Sequence, residues 1–388
     1  MYNKSFHVVQ NIPSPYRLHL FAEMCRQLEK RGVEFHVHFM SDMSRGHGDR
    51  PLSWRNPKIN FPHTYWRDYG LKCHHFNPGL ISYLRKVNPN FLLVGCPFDT
   101  FTSIFVAWMC PASVRCTWSE GNTKTPGVMK GVKGWIKRAV FSKYDYVGVP
   151  GIDAARYIAL HQKFANRKMP KPIMLPNLID ERRFKPQEYW DTKEIEKLRE
   201  SLGVSKTERI ALTPARLEPV KGLFEYISLL TPAMLKGWKI VILGQGSMKD
   251  ELIKLAHEID VDRHVIIKDF VSYVEMPKYY AASDLFILPS RHDPNPLSVV
   301  EALHSGLPVA VSDMAGNVEE AVTEKHNGWV LPVNDSLAFS QKLTEIFKTS
   351  LVQLKEMGRI SISKNARFWG TQDSITKFLD EMLLTNMD

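Results

Sequence analysis

Short apolar runs recur along the chain, separated by longer stretches of helical character. In the first half they are Phe6–Val9, Glu34–Phe39, Phe91–Gly95, Ser113–Thr117, Tyr146–Val149 and Pro172–Leu175. In the second half they are Arg209–Leu212, Trp238–Leu243, Val265–Lys268, Asp284–Leu288, Pro308–Val311 and Gly328–Leu331. Strand runs alternating with helices predict βα units and parallel sheets. Twelve strands exceed one comfortable doubly wound sheet, so the expected fold class is α/β, with two Rossmann-like doubly wound domains facing across a cleft. Open α/β sheets bind ligands at the carboxyl ends of their strands, and such a cleft can close over substrates. The boundary is expected near Ile179–Pro186, where strand signal stops before a charged helix beginning at about Thr192. This gives a first domain over 1–185 and a second over 186–365. The apolar stretch Phe98–Val114 is broken by Asp99, Thr100, Thr102, Ser103 and Pro111, falls short of the ~20 apolar residues a membrane span needs, and reads as a core helix. Residues 1–10 lack the long apolar middle of a signal peptide.

Composition adds little to this picture, but charge changes it. With 44% apolar and 24% charged residues, the chain is neither collagen-like, disordered nor a disulfide scaffold. Its five cysteines (25, 73, 96, 110 and 116) are scattered without a C-x-x-C, the usage of reduced thiols in a cytoplasmic protein. The net charge of +10 is uneven: residues 1–190 hold 28 basic against 13 acidic side chains, a local +15, and the remainder is −5. A basic half suits an anionic partner. Nucleic acid is set aside because no recognition motif accompanies the charge. An anionic membrane surface is favoured by Lys130–Lys143, where Lys and Arg interleave with Trp135, Ile136, Val140 and Phe141. The alternative for that helix is a solvated basic face over a packed core.

The segment Leu288–Val309 carries the clearest chemistry. A buried strand is expected to end at Leu288, followed by a polar loop and an apolar helix from about Leu297. The start of that helix leaves N–H groups unpaired and positive, an anion site. Pro296 is expected as its first residue and Asn295 as its cap. Asp293 and Glu301, eight apart, can face one ligand. In Thr213–Gly222, Arg216 and Lys221 are the cations to set over a diphosphate. Gly244 and Gly246 form a short turn that admits a ligand to the backbone or is simply a turn. Asp99 and Glu120 follow strand ends in the first domain and are candidates for acceptor contacts or caps. Neither Asp260-Val-Asp262 nor His74-His75 suggests a metal site, and no metal or cofactor is expected.

Together these segments resemble glycosyltransferase family 4, nucleotide-sugar enzymes of the GT-B fold. The family's Glu-x7-Glu pair corresponds to Asp293 and Glu301, its diphosphate-binding pair to Arg216 and Lys221, and its Pro-Ser to Pro289-Ser290. Pro176-Asn177, Asp180 and Phe184 look like its interdomain signature, and Asn11–Arg17 resembles the opening loop of some bacterial cell-surface members. The resemblance implies retaining hexosyl transfer from a nucleotide-diphosphate sugar to a lipid-linked or cell-surface saccharide, as in polysaccharide or lipopolysaccharide synthesis, at the inner face of the membrane. It implies that Glu301 accepts the ribose hydroxyls, that Asp293 meets the donor sugar, and that Arg216, Lys221 and the Pro296–Leu297–Ser298 helix start hold the diphosphate. The base would lie near Phe270 and Val271, Asn11, Tyr16 and Arg17 would face the acceptor, and a final helix within 366–388 would return to the first domain. Two departures are an Asp in place of the first Glu, and Asn295-Pro296 in place of Phe-Gly. The rival readings are a sugar-nucleotide epimerase of the same fold and a non-catalytic binding protein.

Overall fold

The computed structural model describes residues 4–42, 57–70, 74–124, 131–165 and 168–384. Within them the chain forms two compact units, one of Met1–Ile179 with Gly370–Asp388 and the other of Asp180–Trp369. The first holds β1 (Lys4–Gln10), β2 (Val33–Phe39), β3 (His63–Tyr65), β4 (Phe91–Val94), β5 (Val114–Trp118), β6 (Tyr146–Val149) and β7 (Lys171–Met174). The second holds β8 (Arg209–Pro214), β9 (Trp238–Leu243), β10 (Val265–Lys268), β11 (Leu285–Leu288), β12 (Val309–Ser312) and β13 (Gly328–Leu331).

Both sheets are parallel throughout, with orders β3-β2-β1-β4-β5-β6-β7 and β10-β9-β8-β11-β12-β13. Each is the doubly wound Rossmann order, and each reverses direction once, between β1 and β4 and between β8 and β11. Ligand crevices form at such switch points, outside the carboxyl ends of the strands. The strands read as continuous apolar runs because helices cover both faces of a parallel sheet; β4, β6, β11 and β12 are buried at every position. The terminal helix Thr371–Leu384 belongs to the first unit. There it packs on the helix Pro15–Lys30, with ion pairs Arg31–Asp380 and Lys171–Glu381, both at 2.7 Å.

Two features depart from the sequence expectation. The edge strand β3 had no signal, being three residues long and not buried. The helix in Phe98–Val114, which is Phe101–Met109, joins the core with only one of its sides. It buries Thr102, Ser103, Val106 and Ala107 and turns Phe101, Phe105, Trp108 and Met109 outward. The inward polar pair is satisfied. Asn77 N–H donates to Thr102 Oγ1 at 2.8 Å, and Thr100 Oγ1 donates to Ser103 Oγ at 2.9 Å. Among the described residues, no helix is long and apolar enough to cross a membrane. Cys25, Cys96, Cys110 and Cys116 are free thiols, whereas Cys73 and Lys130 lie outside the described residues.

The first sheet contains a buried histidine pair. Trp66 Nε1–H donates to His38 Nδ1 at 3.1 Å, so His38 carries its proton on Nε2 and donates it to His7 Nδ1 at 2.8 Å. Burial, reinforced by neighbouring imidazoles, pushes His7 down to about 4 and His38 to about 2 from 6.5. Below 6.5 the unfolded chain therefore takes up protons that the folded chain refuses. The histidine pair's contribution to stability should fall with pH between about 6.5 and 4, by on the order of 1 kcal/mol per pH unit for each histidine. Urea melts at about pH 7 and about pH 5 check this against a His7→Gln/His38→Gln variant: the wild type should lose more stability than the variant on acidification, and an equal loss in both would contradict it.

Candidate functional site

In the second unit, loops at the carboxyl ends of β8, β9 and β11 interlock. Gly222 (φ +64°) turns the chain after β8, and a Cβ there would stand 2.2 Å from the Pro289 carbonyl oxygen. Arg291 N–H donates to the Val220 carbonyl at 2.9 Å. Gly244 and Gly246 are glycines for the same reason. Added Cβ atoms would meet the carbonyl oxygens of Ala215 at 1.9 Å and Leu217 at 2.2 Å. It is the backbone of the β8 loop that approaches them.

Within this frame Lys221 Nζ and Asp293 Oδ2 form a 2.5 Å ion pair, with side chains only 15% and 14% exposed. Gly316 N–H donates to the Asp293 carbonyl at 2.9 Å, which fixes the Asp293 backbone. Arg216 is exposed in the same β8 loop, without an ion pair among the described residues. The helix is Leu297–His304, as expected, but its cap is not. Pro296 occupies the cap position in an extended conformation, and no side chain closes the helix end. Asn295 is buried and its Oδ1 has no partner, nor have the buried Oγ1 of Thr213 and Oγ of Ser290. The opening N–H groups at Leu297 and Ser298 have no acceptor within a helix. Unpaired buried polar atoms and open N–H groups are costly to a fold unless something else satisfies them.

Glu301, one turn into that helix, accepts a 2.7 Å hydrogen bond from the hydroxyl of Tyr280, which is itself fully buried. Loss of water pushes the Glu301 carboxyl up to about 7, against the opposing effects of the Tyr280 hydroxyl and the Arg183 guanidinium. Arg183 lies 3.8 Å over the Tyr273 ring and donates to the Tyr273 carbonyl. Tyr280 escaped sequence reasoning because it sits on another helix, in no motif, and Arg183 because it fills an unspecified position between Asp180 and Phe184. Phe270, half exposed, and Val271 follow β10, whose last carbonyl, Lys268, accepts from Gly244 N–H at 3.0 Å. A hollow of about 770 Å³ opens at the opposite, amino ends of these strands, beside Trp190, Arg199, Arg209 and Asp284. A parallel sheet presents its ligands at the other end.

In the first unit, a cavity of about 280 Å³ lies at the β1/β4 switch point. All five first-domain candidates line it: Asn11, Tyr16, Arg17, Asp99 and Glu120. Arg17 is held on two sides. Its guanidinium lies 3.3 Å from the centre of the Trp118 ring and bonds Glu120 Oε1 at 2.7 Å, while its Nε is buried without a partner. Asn177 Nδ2 donates to the same Glu120 oxygen at 3.0 Å. Lys137, read from sequence only as a surface charge, reaches this cavity, with Nζ 3.5 Å from the Tyr157 hydroxyl. Burial pulls its pKa down and nearby Asp99 pulls it back. Among the described residues, no group of three or more His, Cys, Asp or Glu is placed to hold a metal ion.

Residues 194–367 match the family model described as glycosyl transferases group 1. An uncharacterized glycosyltransferase of Methanocaldococcus jannaschii is 35% identical over 144 residues, covering 36% of this chain and 37% of that protein. The alpha-galactosylglucosyldiacylglycerol synthase of Streptococcus pneumoniae is 26% identical over 209 residues, covering 50% and 51%. The match thus spans about a third to a half of the length of these relatives. Among solved structures, Anabaena Alr3699/HepE in complex with UDP superposes with a TM-score of 0.72 at 16% identity, over 97% of this chain and all (100%) of that one. That likeness is one of fold.

Proposed function

We propose, proceeding from the membership of residues 194–367 in the glycosyl transferases group 1 family, that the chain is a retaining hexosyltransferase. It moves a sugar from a nucleotide-diphosphate donor to a glycan or glycolipid acceptor. The observation that carries this reading is the convergence at the β8/β11 switch point of the Lys221–Asp293 pair, an uncapped helix start and the partly buried Glu301 carboxyl.

Each group has a task its chemistry suits. Ionised Glu301 accepts both ribose hydroxyls, positioned by Tyr280. Phe270, exposed beside the Gly244 turn, offers a face to the base. The N–H groups of Leu297 and Ser298, with Arg216 and Lys221, hold the diphosphate and stabilise the charge that grows on it as the glycosidic bond breaks. Asp293 takes donor-sugar hydroxyls once the diphosphate engages Lys221. The donor's anomeric C–O bond breaks, the acceptor oxygen bonds that carbon from the same face, and the acceptor proton passes to the departing phosphate oxygen. No separate base is required. The first-unit cavity, with Arg17 and Lys137, receives the acceptor.

Nucleoside diphosphate release should be measured over a panel of nucleotide sugars, UDP-sugars first, with and without lipid-linked saccharides. Acceptor-dependent release with a new glycoside supports transfer. Free sugar released alongside an epimer would establish the epimerase, and binding without turnover the inactive module. Arg17→Ala should raise the acceptor KM by about tenfold or more, because a charge-assisted contact is worth ~1.5–3 kcal/mol, and should leave donor affinity unchanged. An unchanged acceptor KM would remove the cavity from the acceptor site.

A further inference from the structure

We propose that the first unit docks on anionic bilayers through a surface built from three helices, Pro78–Val87, Phe101–Met109 and Gly131–Phe141, of which the middle one packs on both others. The middle helix shows the opposite of a water-facing amphipathic pattern. Its small and polar residues are buried, whereas Phe101, Phe105, Trp108 and Met109, at i, i+4, i+7 and i+8, are 41–54% exposed. The third helix adds a second stripe, with Val132 at 73%, Trp135 at 59% and Ile136 at 40% exposed. Two neighbouring helices that both turn large apolar side chains outward form a patch that soluble surfaces ordinarily avoid.

Charge identifies the occupant. The three helices contain no Asp or Glu but carry Arg85, Lys86, Lys133, Lys137 and Arg138. Lys143 follows, its Nζ 5.7 Å from the Trp108 ring centre. Aromatic and aliphatic side chains rimmed by cations, on three helices that carry no carboxylate of their own, match the interface of an anionic membrane. There rings enter the headgroup boundary while lysines meet phosphates. A protein partner would not require three helices to be free of acidic residues. Lys137 also reaches the cavity at the β1/β4 switch point, so the same helix borders both the docking face and the pocket proposed for the acceptor. The surface itself does not rest on that reading.

The test is co-sedimentation of the full chain with phosphatidylcholine vesicles, with and without roughly one-third phosphatidylglycerol, at low and high salt. Wild type should pellet with the anionic vesicles and be released by salt. Phe105→Ser/Trp108→Ser/Trp135→Ser should weaken binding by about tenfold or more, and Lys133→Gln/Lys143→Gln should weaken it only on anionic vesicles. Circular dichroism and donor hydrolysis should remain unchanged, which separates this surface from the catalytic reading. If the triple variant does not fold, quenching of wild-type tryptophan fluorescence by bromolipids should differ between wild type and Trp108→Phe. The proposal fails if wild type stays in the supernatant, if the apolar variant binds equally, or if wild type self-associates through this face without binding vesicles.

Discussion

Glu301→Gln is expected to abolish most turnover while making the protein more stable at neutral and alkaline pH. Its carboxyl is raised to about 7 from 4.5 by loss of water. Between those values the folded state holds a proton that the unfolded state has released, so stability is highest at the acid end and falls as pH rises through 7. At pH 8 the ionised group costs the fold on the order of 3 kcal/mol, which the neutral amide recovers. Thermal melts at pH 8 should therefore rise, the pattern of a residue kept for function at the expense of stability. Loss of two charge-assisted contacts to ribose should lower kcat/KM by about 10²–10³. Nucleotide binding by wild type should weaken as pH drops below about 7. Tyr280→Phe removes a hydrogen bond that lowers the Glu301 pKa, so the midpoint of that profile should move upward. A purely structural Glu301 would give the reverse, a lower melting temperature with unchanged kinetics.

The elements were legible because parallel strands covered on both faces must be nearly continuous apolar runs. Both sheets and the two-domain α/β class follow from those runs, as does the helix start at Leu297. What sequence could not supply was the direction in which side chains face. Phe101–Met109 is apolar enough for a core, yet Asn77 and Thr100 supply partners for Thr102 and Ser103. Those partners rotate the aromatic side outward. Asn295 has the chemistry of a cap, but Pro296 takes that position and Asn295 is buried beside it. Gly244 and Gly246 are visible as a turn, but the close approach they permit comes from a loop thirty residues earlier in the chain. Tyr280 reaches Glu301 from another helix, and only the fold makes them neighbours.

Lys221→Ala should damage both folding and catalysis, and a second substitution should separate the two. The Lys221–Asp293 pair is mostly buried at 2.5 Å. Removing one partner leaves the other charge short of water and unpaired, a loss near the lower end of the ~3–5 kcal/mol seen for buried pairs. Lys221→Ala/Asp293→Ala removes both charges and should regain most of that stability in urea melts. Activity should not return with it. In the proposed site the donor diphosphate takes Lys221 from Asp293, so the resting ion pair holds each group ready for its substrate partner. Without Lys221, nothing replaces the point charge beside the leaving phosphate, and turnover should fall by about 10²–10³ in both variants. Asp293→Asn alone should keep Lys221 available. Diphosphate binding should then persist or tighten, while discrimination among donor sugars is lost, because only the carboxylate proposed to face the sugar has changed. A double variant that recovers activity along with stability would show that the pair is only a structural brace, and would move the diphosphate site away from the β8 loop.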